Sequence, residues 1–365
     1  MKNFLLALFC LPVLVQAQYP WKEVPFSRLQ TPPQTYVAAK VKWPLTVDGQ
    51  LDEAAWKDAP WTVAFADIEG GDKPNPRFKT RAKMLWDEDF LYIAAEMEEP
   101  HLWATYDQHD MITFHENDFE VFIDHDGDSH AYFEVEVNAR KQIFDLFLVR
   151  PYRDGGPSLI SWDVRDLKVG VALDGTLNDG SDTDKGWTLE MAIPFKSLRF
   201  GVEALRPKTG DVWRMNFSRV EWQTTWNGTA YEKVKGTDGK PLHEDNWVWS
   251  PQGLVNMHFP ERWGYVQFSE TANAAFVLPP DEPFRKALRE VYYRQQVKMA
   301  KTGKFATTLS ALGVPATLRH QGKTYRLALQ TTANTFEALF SNPVDKARYR
   351  MNHEGRYEVL TSEEK

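Results

Sequence analysis

Short runs in which apolar and polar residues alternate fill the chain from Val37 to about Ser269, and they constrain the fold more than any other feature. In Asp118-Phe119-Glu120-Val121-Phe122-Ile123-Asp124, a strand puts Phe119, Val121 and Ile123 on one face. Glu120, Phe122 and Asp124 then fall on the other. After a Gly-Asp turn, Ala131–Asn138 repeats the pattern, with Tyr132, Glu134 and Glu136 opposite Phe133, Val135 and Val137. Arg81–Trp86 and Phe90–Met97 flank the turn Asp87-Glu88-Asp89 as a hairpin. Further strands are expected at 143–148, 167–173, 186–193, 211–220 and 264–268. Many short strands with little helical period predict a mainly β fold, an antiparallel Greek-key β-sandwich of jelly-roll type over residues 37–269.

The flanks read differently. Residues 1–17 carry one early lysine, an apolar run too short to span a bilayer and a small residue at Ala17, which predicts a signal peptide cleaved before Gln18. The lone cysteine, Cys10, would leave with it, taking with it any disulfide, thiolate nucleophile or cysteine zinc site. The expectation is a secreted or periplasmic chain held by its core alone. Residues 18–36 hold Pro20, Pro25, Pro32 and Pro33 and read as an extended arm. Beyond a linker at 270–280, residues 281–365 predict a small α+β unit. Asp281 is the expected N-cap of a helix in which Phe284, Leu288, Val291, Tyr292, Gln295 and Met299 keep helical spacing up to Gly303. Strands at 325–330, 335–340, 348–351 and 356–360 would form an antiparallel meander beneath it. A net charge of −8 argues against nucleic acid or anionic lipid as partners.

Fourteen tryptophans suggest stacking platforms for sugars, whose CH faces lie on aromatic rings while polar groups bond the hydroxyls. Residues 213–249 concentrate rings among arginines and amides, and Trp226, Trp247 and Trp249 are the expected platforms. Asp124, Asp126 and Asp128 surround a glycine turn with oxygen ligands suited to calcium, and Asp179, Asp182 and Asp184 form a second acidic loop. His101, His109, His115, His125 and His130 lack zinc-site spacing and read as solvated loop residues. Glu120, Glu134, Glu136 and Glu190 are the carboxylates from which a glycosidase pair would have to come.

Five phrases, in order, resemble the family 9 carbohydrate-binding modules over roughly residues 40–269. They are Leu45–Trp56, Leu85–Ile93, Asn117–Asp124, Gly186–Phe195 and Trp263–Phe268. The resemblance implies a Greek-key sandwich, structural calcium and an aromatic clamp for the ends of glucan or xylan chains. It maps the family's sugar-contacting glutamate onto Glu120 and the first clamp ring near Phe114. The second clamp ring falls near Met257 or His258, and the family's arginine falls near Glu136 and is absent from this chain. The C-terminal unit, with Tyr292-Tyr293-Arg294-Gln295-Gln296 on a helix before a small sheet, loosely resembles the globular half of pilin-like proteins. The leading expectation is a non-catalytic protein that binds polysaccharide or oligosaccharide through Phe114, Glu120, Trp226, Trp247, Trp249 and His258. The alternatives are a glycoside-active hydrolase and an envelope protein that docks a partner through its C-terminal unit.

Overall fold

The computed structural model describes residue 21 and residues 26–71, 73–199, 206–271 and 273–361; the expected leader and its cleavage point lie outside the described residues. One hydrogen-bonded path links the strands Ser158–Leu159, Ile143–Leu148, Tyr132–Asn138, Asp118–Asp124, Val212–Glu221 and Gly264–Ser269. It continues through Thr35–Lys40, Thr80–Trp86, Phe90–Glu98, Gly186–Pro194 and Lys168–Asp174. Asp245–Val248 and Ala66–Asp67 pair off this path, completing a 13-stranded sheet. The sheet curls on itself. Phe119, Val121, Ile123, Phe133 and Val135 from one half share a core with Met84, Ile93, Leu189 and Met191 from the other. The alternation seen in the sequence therefore sorts side chains as expected. Hydrophobic burial on the inner face fixes the register, because a slip of one residue would turn every Phe and Val outward.

The sheet is mixed rather than purely antiparallel. Thr35–Lys40 runs parallel to both neighbours, with Thr35 opposite Tyr265 and Ala39 opposite Leu85, and so joins the two halves into one continuous sheet. It also starts two residues before the expected boundary at Val37. The described part of the N-terminal arm is packed, not extended in solvent. Trp21 and Leu29 are buried, and the Trp21 ring lies 5.5 Å from Tyr292 and 6.2 Å from Tyr293.

The helix Glu282–Thr302 lies over an antiparallel sheet of five strands, one more than expected. The addition, Thr317–His320, is a four-residue edge strand with no buried position, so it leaves no apolar signature. Asp281 takes the expected N-cap position, its carbonyl accepting from the Phe284 and Arg285 amides, but its side chain makes no capping bond. Its carboxylate instead accepts from Tyr357 Oη at 2.8 Å and Arg285 Nη2 at 3.3 Å. Gly303 ends the helix at φ 70°, a left-handed position that glycine takes without strain. Phe284, Leu288 and Val291 share their core with Trp21, Leu29, Leu254 and Phe259, so helix, arm and the 254–259 loop form one packed body. Among the described residues, no helix is long and apolar enough to cross a membrane.

Candidate functional site

The outer face of the first half-sheet carries a cleft of about 340 Å³. Strand alternation builds its floor. Glu120 stands opposite Glu136, and Phe122 opposite Glu134, across the Asp118–Asp124 and Tyr132–Asn138 pair. Phe144 and Leu146 continue the floor, while Phe114, Tyr152, Ile160, Asn246, Met257 and His258 form the walls. Phe114 sits on the 3₁₀ turn Thr113–His115, where its amide donates to Glu136 Oε2 at 3.1 Å and its carbonyl accepts from Trp222 Nε1 at 2.9 Å. These bonds present its ring at the rim, 38% exposed; Tyr152 stands 43% exposed. The rings of Tyr152 and His258 are 4.5 Å apart, and His258 Nδ1 lies 3.0 Å from Tyr132 Oη.

The floor is acidic and enclosed. Glu120, Glu134, Glu136 and neighbouring Asp118 are all buried. Burial pushes the Glu120 carboxyl up to about 7, with the charge of Glu244 adding to it. Burial also holds Glu134 well above the usual range, helped by the charge on Glu120. Asp118 and Glu136 rise for the same reasons, each repelled by neighbouring carboxylates. Burial, reinforced by Arg153, brings His258 down to about 3, so its imidazole is neutral. No lysine or arginine is among the described residues lining the cleft. The site thus offers carboxyl groups that burial biases toward the protonated form, able to accept and to donate hydrogen bonds, beneath two exposed rings.

A family model described as carbohydrate family 9 binding domain-like matches residues 47–235, more than half of the chain. The chain belongs to this family. A curated relative, endo-1,4-beta-xylanase C from Paenibacillus barcinonensis, is 34% identical over 97 residues; the match spans 26% of this chain and 8% of that enzyme's length. A family 9 module from Caldicellulosiruptor kristjanssonii, solved with cellotriose, matches at 14% identity and a TM-score of 0.43, covering 67% of this chain and 99% of the module. Its glucose complex matches at 13% identity and a TM-score of 0.42, covering 67% and 100%.

Within this family 9 chain the residues singled out from sequence separate. Phe114, Glu120 and His258 meet in the cleft. Trp247 and Trp249 do not: at 3% and 1% exposure they belong to the inner core and offer no ring face to a ligand. Trp226 packs on Tyr231 in the separate hairpin Thr224–Trp226/Tyr231–Lys233, with ring centroids 5.1 Å apart. Tyr152 was missed because it follows Pro151 in an irregular turn with no periodicity to flag it. Trp43, 79% exposed, was also passed over and lies outside the cleft.

Glu190 proves structural, accepting from Trp56 Nε1 at 2.6 Å and from the amides of Asp48 and Gly49 at 2.9 and 2.8 Å. In the second acidic loop, Asp184 accepts from the amides of Leu102 and Thr176, which ties that loop to the sheet.

The three aspartates expected to hold calcium do not converge on one point. Asp124 is spent on the amides of Gly127 and Ser129, both at 2.9 Å. Asp126 accepts from the Asp128 amide, and Asp128 from the His130 amide and Arg356 Nε at 2.9 Å. Arg356 thus pairs with one oxygen of Asp128. The donor group that does gather there is Asp124, His125 and Asp126, and an imidazole suits calcium poorly. Arg285 donates to the Gly127 carbonyl and Arg289 to Ser129 Oγ, so this turn is where the C-terminal helix grips the sheet. His109 lies within 3.3 Å of Asp145 and 4.0 Å of Asp163, a mixed cluster with a half-exposed imidazole.

Proposed function

We propose that this chain is an exported, non-catalytic carbohydrate-binding protein that takes xylan- or glucan-type saccharide into the cleft and serves polysaccharide degradation. The observation that carries the reading is the pairing of two exposed rings, Phe114 and Tyr152, with a floor of carboxylate acceptors. Pyranose CH faces lie against such rings, and hydroxyls donate to Glu120, Glu134 and Asn246. Membership of the family supports the ligand class, and the stretch shared with a xylanase supports the link to degradation.

Hydrolysis would need one carboxyl group on each side of a scissile bond. Asp118, Glu120 and Glu136 instead gather together, bringing oxygens within 4.8 Å of one another.

Calorimetric titration with cello- and xylo-oligosaccharides tests this reading. Saturable heat without release of reducing ends is expected, and Phe114→Ala should weaken binding about tenfold, the loss of one stacking contact. No heat from any oligosaccharide, or sugar release that vanishes with Glu120→Gln, would overturn it. Export is checked separately. N-terminal sequencing of protein recovered outside the cytoplasm should begin at Gln18, and a retained Met1 would refute cleavage.

A further inference from the structure

We propose that the foot of the cleft holds a hard divalent cation, of the calcium or magnesium type, on the carboxylates of Asp118, Glu120 and Glu136. Three observations lead there. First, one oxygen from each residue lies within 4.8 Å of the others, close enough for all three to sit on one ion at the roughly 2.0–2.6 Å that such ions require. Second, these groups are buried and underbonded. Asp118 is 0% and Glu120 4% exposed, yet both oxygens of Asp118 and Oε2 of Glu120 lack a donor in full hydrogen-bond geometry; the Val220 amide and the Ser218 hydroxyl approach them, and neither carries a charge. Buried anions are stable only when paired, protonated or bound to metal. Third, among the described residues no lysine or arginine lines the cleft from which Glu120 and Glu136 are reached.

An all-oxygen donor set selects hard cations over zinc or copper. An ammonium group of an amino sugar would meet the same acceptors, but two features favour a bare ion. Asp118 is sealed from solvent and is not part of the cleft wall, so a group tethered to a pyranose reaches it poorly. A divalent ion also offsets two carboxylates where an ammonium offsets one. Glu120 and Glu136 line the same cleft as Phe114 and Tyr152, so hydroxyls of a saccharide bound there would be available as further oxygen ligands.

The inference shares its cleft with the carbohydrate reading, and the two fail separately. Metal uptake without sugar binding would remove that reading alone, whereas sugar binding without metal uptake would remove this one.

The test is calorimetric titration of the chelator-treated full chain with calcium chloride and, separately, magnesium chloride, with melting followed in parallel. One-site uptake and a higher melting temperature are expected. Glu136→Gln should weaken uptake at least tenfold, while Asp126→Asn in the other acidic turn should leave it within twofold. The glutamine keeps the shape and removes a repelled charge, so the metal-free variant should melt no lower than the parent. Three results would each overturn the assignment: no uptake of either ion, uptake lost in Asp126→Asn but kept in Glu136→Gln, or glucosamine binding in excess chelator that Glu136→Gln abolishes.

Discussion

Replacing Arg153 with methionine should cost about 3–5 kcal/mol of stability, the range for removing one partner from a buried ion pair. It should lower the melting temperature by on the order of 10 °C. The Arg153 side chain is fully buried. Its Nη2 donates to both oxygens of Glu261 at 2.9 Å, its Nε lies 3.3 Å from Asp154, and its guanidinium sits 4.0 Å over the ring of Phe259. Without it, Glu261 and Asp154 remain as buried carboxylates short of a cation. The effect should reach the cleft, because Nη1 also donates to the His258 carbonyl at 3.0 Å and so fixes the loop that carries the imidazole. Oligosaccharide affinity should fall several-fold even though Arg153 does not line the cleft. Denaturant unfolding and titration of the same preparation check both effects. A loss below 1 kcal/mol would show that the pair is solvated, and unchanged affinity would show that His258 is held by other contacts. Adding Glu261→Met should recover part of the lost stability, since two apolar residues cost less than one orphaned charge.

That coupling between the C-terminal unit and the cleft was not legible in the sequence, whereas the cleft floor largely was. Period-two alternation in 118–124 and 131–138 assigned Phe119, Val121, Phe133 and Val135 inward and Glu120, Glu134 and Glu136 outward, and the structure agrees. Alternation gives a face but not its cover. Carboxylates on the open face of an antiparallel sheet are ordinarily solvated, yet the Thr113–His115 turn and the 244–258 segment wall these in.

The tryptophans fail for a related reason. Asp245–Val248 is too short to display a period, so Trp247 looked like a loop ring. In the fold it pairs with Arg219 in register, packs on Phe78 at 6.1 Å and lies under the guanidinium groups of Arg77 and Arg219. Trp249 fits because Gly264 leaves it room: a Cβ there would sit 2.5 Å from the indole. Neither partner is near in sequence. The parallel pairing of Thr35–Lys40 was hidden likewise, since an apolar run does not encode the direction of its neighbour.

The stability gap between the parent chain and Glu261→Gln should be wide at pH 6 and close progressively as the pH falls from about 4.5 toward 2. Glu261 is held down to about 2 from its usual 4.5: burial alone would raise it, and Arg153 and Arg289, aided by the Tyr293 hydroxyl at 2.6 Å, more than reverse that. Asp154 is the other acid in this network, raised to about 6 by burial. A carboxyl whose folded pKa is depressed stabilises the fold fully above its unfolded pKa and loses that contribution as pH drops through the folded one. The separation between 4.5 and about 2 corresponds to about 3 kcal/mol. Taking the difference between two chains that differ only at Glu261 cancels the titration of groups elsewhere. Arg153, Arg289 and Tyr293 join the helix and the Tyr152–Asp154 turn to this glutamate, so protonation should loosen the C-terminal unit first. Denaturant unfolding of both chains at half-unit pH steps measures the gap, and hydrogen exchange along Glu282–Thr302 locates the loosening. A gap that stays constant down to pH 2, or exchange that rises first in the strands of the large sheet, would show that Glu261 does not hold the two parts together.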